Sequence, residues 1–168
     1  VTGFTDAGLY LEAASVSGRS VLVNGDVDHN VFFNNGVNVR LVTINNGASG
    51  ADISSKFVGN VFSGATTALG DGYGVVMDAT LPKTGGVNMA PDFGDFSILF
   101  GLGMSGGRNT FSGNEVFNMV LDVDMQNIVK AERNFWGDLS TANVNATIET
   151  FGANYPSILP LLADSSTL

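Results

Sequence analysis

Four times this chain places an Asn two residues ahead of an aromatic side chain: "NVFFNNG" from Asn30, "NVFSG" from Asn60, "NTFSGN" from Asn109 and "NFWG" from Asn134. An internal repeat constrains a fold strongly, because every copy must solve the same packing problem. Each unit is preceded by an alternating apolar stretch: "GLYLEA" from Gly8, "GVNVRLVTI" from Gly36, "GVVMDA" from Gly74 and "FNMVLDV" from Phe117. Alternation with period two is the pattern of a half-buried strand. Between the strands and the Asn units lie "SVLVNGDVDH", "ADISSKFVG", "FSILFGLGMSGGR" and "QNIVKAER", which are rich in turn and β residues. Gly, Asn and Asp interrupt every helical window before about residue 140. The exception is "TANVNATIETFGA" (141–153), where Val144, Ile148 and Phe151 fall at helical spacing. Thr141 or Asn143 would start this short helix and Gly152 would stop it.

Strand, turn, strand, Asn turn and short strand, repeated, predict an all-β right-handed parallel β-helix, a solenoid of about four to six coils. Asn suits its corners because it tolerates the left-handed conformation and because stacked amides bond from rung to rung. The expected corner ladder is Asn30, Asn60, Asn109 and Asn134. The aromatic two positions on points to the same side as the Asn, so Phe32, Phe62, Phe111 and Trp136 are the expected core stack. Residues 1–168 read as a single β-helix domain. Uneven spacing is explained by corner insertions, expected at 63–73 and 79–95, and the segment 139–168 reads as a short C-terminal cap.

Composition narrows the function. Low charge (14%) with 44% hydrophobic residues is not a disordered signature. The net charge of −9, with 7 scattered basic residues, excludes a phosphate-neutralising groove and disfavours anionic lipid, so no nucleic acid is expected as partner. No apolar run reaches the roughly 18 residues of a membrane span. With no Cys there is no disulfide, thiol nucleophile or Cys-ligated zinc. The chain opens on Val1 with no signal-like segment, which suggests a removed leader or the C-terminal part of a longer protein.

"GRNTFSGN", "VKAERNFWGD" and "APDFGDFSILFGLGMSGGRNTFSGN" resemble the repeat of right-handed parallel β-helices of the pectin-lyase-like superfamily, and more narrowly the last coils of its secreted bacterial surface proteins. The tail "PSILPLLADSSTL" is similar to the segment that closes such helices. The resemblance covers about residues 8–168 and speaks for the fold more than for any activity. It implies a secreted or cell-surface location. It also implies that the N-terminal side, where "VTGFTDA" reads as the tail of an earlier rung, is an open end. Such an edge seeks the rest of a longer parent chain or further copies of the protein.

Lyases of this fold use carboxylates to hold Ca²⁺ beside an Arg or Lys base, and galacturonases use Asp clusters on adjacent rungs. The matching residues here are sparse. Asp26, Asp28, Asp122 and Asp124 are the candidate oxygen ligands for a hard cation such as Ca²⁺, but a pair of carboxylates supplies too few ligands. His29, the single His, precedes a corner Asn. Arg108 and Arg133 also precede corner Asn residues and would form surface ion pairs. "GDGYG" and "SGG" open no helix and so read as turns. Tyr73 and Phe93 are the loop aromatics that could stack on sugar rings, or pack on the solenoid flank. The expected function is an extracellular or cell-surface structural or adhesive module without catalytic residues or a cofactor. A polysaccharide-binding or polysaccharide-degrading β-helix is the alternative.

Overall fold

The computed structural model describes residues 1–15, 19–45, 50–80, 87–94, 107–121, 129–137, 140–151 and 156–158. The alternating stretches form strands, and the short β-rich pieces between them form more. They run β1 (Ala7–Ser15), β2 (Val21–Val23), β3 (Asp26–Asp28), β4 (Val31–Phe33), β5 (Val37–Asn45), β6 (Ala51–Ile53), β7 (Lys56–Val58) and β8 (Val61–Ser63). They continue as β9 (Tyr73–Thr80), β10 (Val87–Met89), β11 (Asp92–Gly94), β12 (Thr110–Ser112), β13 (Phe117–Leu121) and β14 (Lys130–Ala131). A short helix, α1 (Thr141–Asn145), precedes β15 (Ile148–Glu149).

The strands pair in parallel in four sheets, ordered β1-β5-β9-β13-β15, β10-β6-β2, β14-β11-β7-β3 and β12-β8-β4. Successive strands of the chain belong to different sheets, and each partner comes from the next circuit. Thus Leu9 lies opposite Val39, Val39 opposite Val75, Val75 opposite Met119 and Met119 opposite Ile148. Mostly parallel strands in stacked sheets are compatible with a β-helix. Every second side chain of the long sheet points inward, as the pleat requires. Leu41, Met77 and Leu121 stack there, fully buried, in one core with Ile53, Phe57, Phe62 and Phe93.

The circuits differ in length. Successive corner Asn residues are 30, 49 and 25 apart. One addition is 64–72, between β8 and β9, where the previous circuit spends only 34–36. The other lies between β11 and β12. A Cβ on Gly94 would stand 3.1 Å from the Gly107 Cα, so the chain leaves at Gly94 and returns beside it at Gly107, which pairs with Val58. The excursion, 95–106, is outside the described residues. The second loop expected at 79–95 is strand over much of its described length, and its residues 81–86 and 95 lie outside the described residues. Its residues 87–94 hold β10 and β11, which continue the β6 and β7 sheets. The two Pro and several Gly of that stretch suggested a loop. Pro91 in fact sits between the two strands, where no N–H is needed.

The helix is also shorter than expected. α1 ends at Asn145, and Ile148 belongs to β15 beside β13. Ser140 is its N-cap, accepting from the Asn143 N–H, rather than Thr141 or Asn143. Val144 and Ile148 are both buried, but from two different elements, which imitates helical spacing; Phe151 is exposed.

Candidate functional site

The corner Asn residues are built into a relay of amides. Asn30 donates from its backbone N–H (2.9 Å) and Nδ2 (3.3 Å) to Asn60 Oδ1. Asn60 donates likewise to Asn109 Oδ1, at 2.9 and 3.1 Å, and Asn109 to Asn134 Oδ1, at 2.8 and 3.1 Å. The remaining amide hydrogens reach main-chain carbonyls, those of Val27, Phe57, Phe93 and Ala131 among them. Asn60, Asn109 and Asn134 are fully buried, whereas Asn30 is exposed. The left-handed residue at this corner is not the Asn. It is the residue before it: His29 (φ 50°), Gly59 (63°), Arg108 (59°) and Arg133 (55°). Asn is required for its amide, and the strain falls on its neighbour.

The aromatic that follows each Asn points inward. Phe32 and Phe62 stack with centroids 5.6 Å apart, Phe62 and Phe111 lie 5.0 Å apart, and Phe111 and Trp136 stack at 4.4 Å. Phe93 is no loop aromatic. It is fully buried and stacks on Phe57 at 4.4 Å. Tyr73 begins β9, half-buried, with its ring 6.1 Å from that of Phe117 on the outside of the long sheet.

A second amide network lies on the other side of the short β4-β8-β12 sheet, and the sequence reading missed it. Asn35 donates to Asn38 Oδ1 (3.0 Å), Asn38 to Asn114 Oδ1 (3.1 Å), Asn114 to Asn118 Oδ1 (2.8 Å) and Asn118 to Thr147 Oγ1 (3.1 Å). Here too a left-handed residue comes first: Asn34 before Asn35, Gly64 before Ala65 and Gly113 before Asn114. The intervening level has Ala65 and Gly74. A Cβ on Gly74 would stand 2.5 Å from the Asn118 carbonyl and 2.6 Å from Asn114 Nδ2. The clue in the sequence was the close Asn pairs of "NNGVN" and "NEVFN", which the second unit, from Asn60, lacks.

The ionisable residues are spread out. Asp26 and Asp28 are exposed on β3. Asp26 has Lys56 as its cross-strand neighbour, and Lys56 in turn has Asp92. Asp28 contacts Nδ1 of His29, whose ring lies over Gly59. Asp122 and Asp124 lie outside the described residues. Among the described residues no three acidic or His side chains form a metal-holding group. Arg108 is exposed and Arg133 half-buried, and the Arg108 N–H bonds to the Arg133 carbonyl. One charge cluster was not anticipated. On the outer face of the long sheet, Arg40 donates to Asp78 and Asp71, both at 2.9 Å, with Asp6 at 3.6 Å from its Nε. Asp6 comes from the circuit before Arg40, and Asp71 and Asp78 from the circuit after it, so the guanidinium braces neighbouring levels. Nearby, the Tyr10 hydroxyl donates to Glu12 (2.7 Å), and this bond, with smaller help from burial, raises the phenol above its usual pKa.

A cavity of about 290 Å³ opens beside the last circuits, lined by Asn114, Asn118, Asn143, Thr147, Trp136 and small neighbours. Its amides are largely engaged in the network above. Among the described residues no helix is long and apolar enough to cross a membrane.

The first circuit differs from all that follow. Leu9, Leu11, Val21, Val23 and Val27 point inward yet are only partly buried. Their register partners Val39, Leu41, Ala51, Ile53 and Phe57 are fully buried. Asn30 offers an Oδ1 on that same open side. At the other end Val144 of α1, Ile148 and Ile158 pack into the core. Comparison of the chain with protein-family models, with curated proteins and with solved structures finds no match.

Proposed function

We infer that this chain is a structural module, a right-handed parallel β-helix of about four to six coils, whose role is to extend or join other β-structure at its first coil. Asn30, Asn60, Asn109 and Asn134 act as its corner ladder, and Phe32, Phe62, Phe111 and Trp136 as its core stack. The observation that carries the reading is the contrast between the first two circuits. Leu9, Leu11 and Val21 face inward without full cover, while the residues stacked beneath them are completely buried. Exposed strand edges over an apolar interior favour pairing with another β-layer. An acidic, Asn- and Gly-rich surface suits a secreted or cell-surface scaffold or adhesive protein without chemistry of its own, and that is the setting we assign.

The test is the association state. Analytical ultracentrifugation of residues 1–168 should show concentration-dependent end-on association. Leu22→Pro should suppress it, because the neighbouring Val21 and Val23 use the groups facing β6 and Leu22 faces the open edge. A chain that stays monomeric at every concentration would refute self-association.

A further inference from the structure

We propose that Asn24 is a site of spontaneous covalent conversion, through attack by the Gly25 nitrogen on its side-chain amide. In this reaction the Gly25 backbone N forms a bond to Asn24 Cγ. The Gly25 N–H proton is lost and the side-chain nitrogen leaves as ammonia. Water then opens the cyclic imide, at one carbonyl to give aspartate and at the other to give isoaspartate. No oxidant, metal or enzyme is needed. The chemistry requires an accessible amide, an unbonded following N–H and a following residue without a side chain in the way.

All three conditions meet at Asn24–Gly25. Both residues are exposed in the turn between β2 and β3, and a Cβ on Gly25 would touch nothing within 4 Å. The Gly25 carbonyl accepts from Lys56, but among the described residues its N–H donates to nothing. The stacking explains this. Gly25 stands next to Asp26, whose column continues through Lys56 to Asp92, so the position equivalent to Gly25 is Ser55 and then Pro91. A proline fits there because the corner makes no use of that N–H.

The same chain contains a control. Asn35–Gly36 has the same two residues in the same order. Asn35 is fully buried, and its amide donates to Asn38 Oδ1 and accepts from the Phe4 N–H. The Gly36 N–H is bonded to the Phe4 carbonyl at 2.7 Å. Fold rather than sequence therefore decides which amide reacts. Conversion at Asn24 adds a carboxylate next to exposed Asp26 and Asp28 on the open first circuit. Its isoaspartate form also lengthens the backbone between β2 and β3.

The test is peptide mapping by mass spectrometry after incubating the folded protein in mildly alkaline buffer, with isoaspartate scored by methyltransferase labelling. Asn24 should convert about tenfold or more faster than Asn35. In strong denaturant the two should converge, and Gly25→Ala, which the open space accommodates, should slow Asn24 in the folded protein. Equal rates at Asn24 and Asn35 in the folded protein would overturn the proposal. So would an unreacted Asn24 over a period in which denatured protein converts, or a Gly25→Ala variant that reacts as fast as the parent.

Discussion

The two corners that flank the short β4-β8-β12 sheet solve one problem in different ways. At the first, every level has an Asn, and each bonds to the Asn of the next level. At the second, Asn35, Asn38, Asn114 and Asn118 skip a level, and Asn114 spans the circuit that has Ala65 and Gly74. A relay with a member at every level tolerates any residue around it, provided the preceding position accepts a left-handed backbone. A relay that skips depends on empty space at the skipped level. The first corner should therefore fail when an amide is removed, and the second when an atom is added.

The largest effect is expected at the first corner. Asn109→Ala removes acceptors for Asn60 and donors to the Phe57 and Phe93 carbonyls, all in a fully buried setting. Unpaired buried groups cost about 1–3 kcal/mol each, with partial relaxation, so a loss of about 3–4 kcal/mol is expected in urea denaturation. An effect below that of a surface substitution would show that the relay is dispensable.

Next comes Gly74→Ala at the second corner. The added Cβ meets backbone as well as the Asn114 amide, and overpacking of this kind costs about 1–3 kcal/mol. The Ala variant at Gly113, where space is open but φ is 64°, separates crowding from backbone strain. If both variants lose stability equally, empty space at Gly74 is not what the network needs.

A smaller change, of opposite sign, is expected from Arg108→Gly. Arg108 has a φ of 59° and is exposed, so glycine relieves about 1 kcal/mol of left-handed strain, offset in part by the freer unfolded chain. Thermal denaturation should show no loss; a clear loss would mean the Arg108 side chain makes a contact that outweighs its strain.

The smallest effect concerns pH. Glu115, beside Asn114 at the second corner, accepts from the Thr67 N–H (2.6 Å) and from the Thr67 and Thr66 hydroxyls. The Thr67 N–H above all, then the hydroxyls, hold its pKa below the usual carboxylate value. A lowered folded pKa means the stabilisation is complete above the unfolded pKa and is lost as pH falls through the folded one. Glu115→Gln should therefore flatten the acid limb of stability against pH by lowering the neutral value slightly toward the acid one. An unchanged acid limb would show that the clasp on 64–72 contributes nothing.

Period-two alternation and the Asn–x–aromatic echo were legible because they are local: a strand buried on one face must alternate, and a repeated corner must repeat its residues. The second amide network was not legible, because its members sit in different circuits and one circuit takes part only through its main chain and the room it leaves. For the same reason residues 87–89 and 92–94 of the loop expected at 79–95 proved to be strand. Pro and Gly there look like a break in one dimension, yet Pro91 occupies a stacked position where no N–H is used.

The sequence by itself determined that this chain is all-β, that it repeats, and which side chains face inward, since those follow from spacing along one strand. Only the tertiary structure decided which circuit lies on which, and with it the brace of three carboxylates on Arg40, the exit and return at Gly94 and Gly107, and the incomplete cover of the first circuit. Those depend on register between strands some 30 residues or more apart in the chain, and no local pattern carries that information.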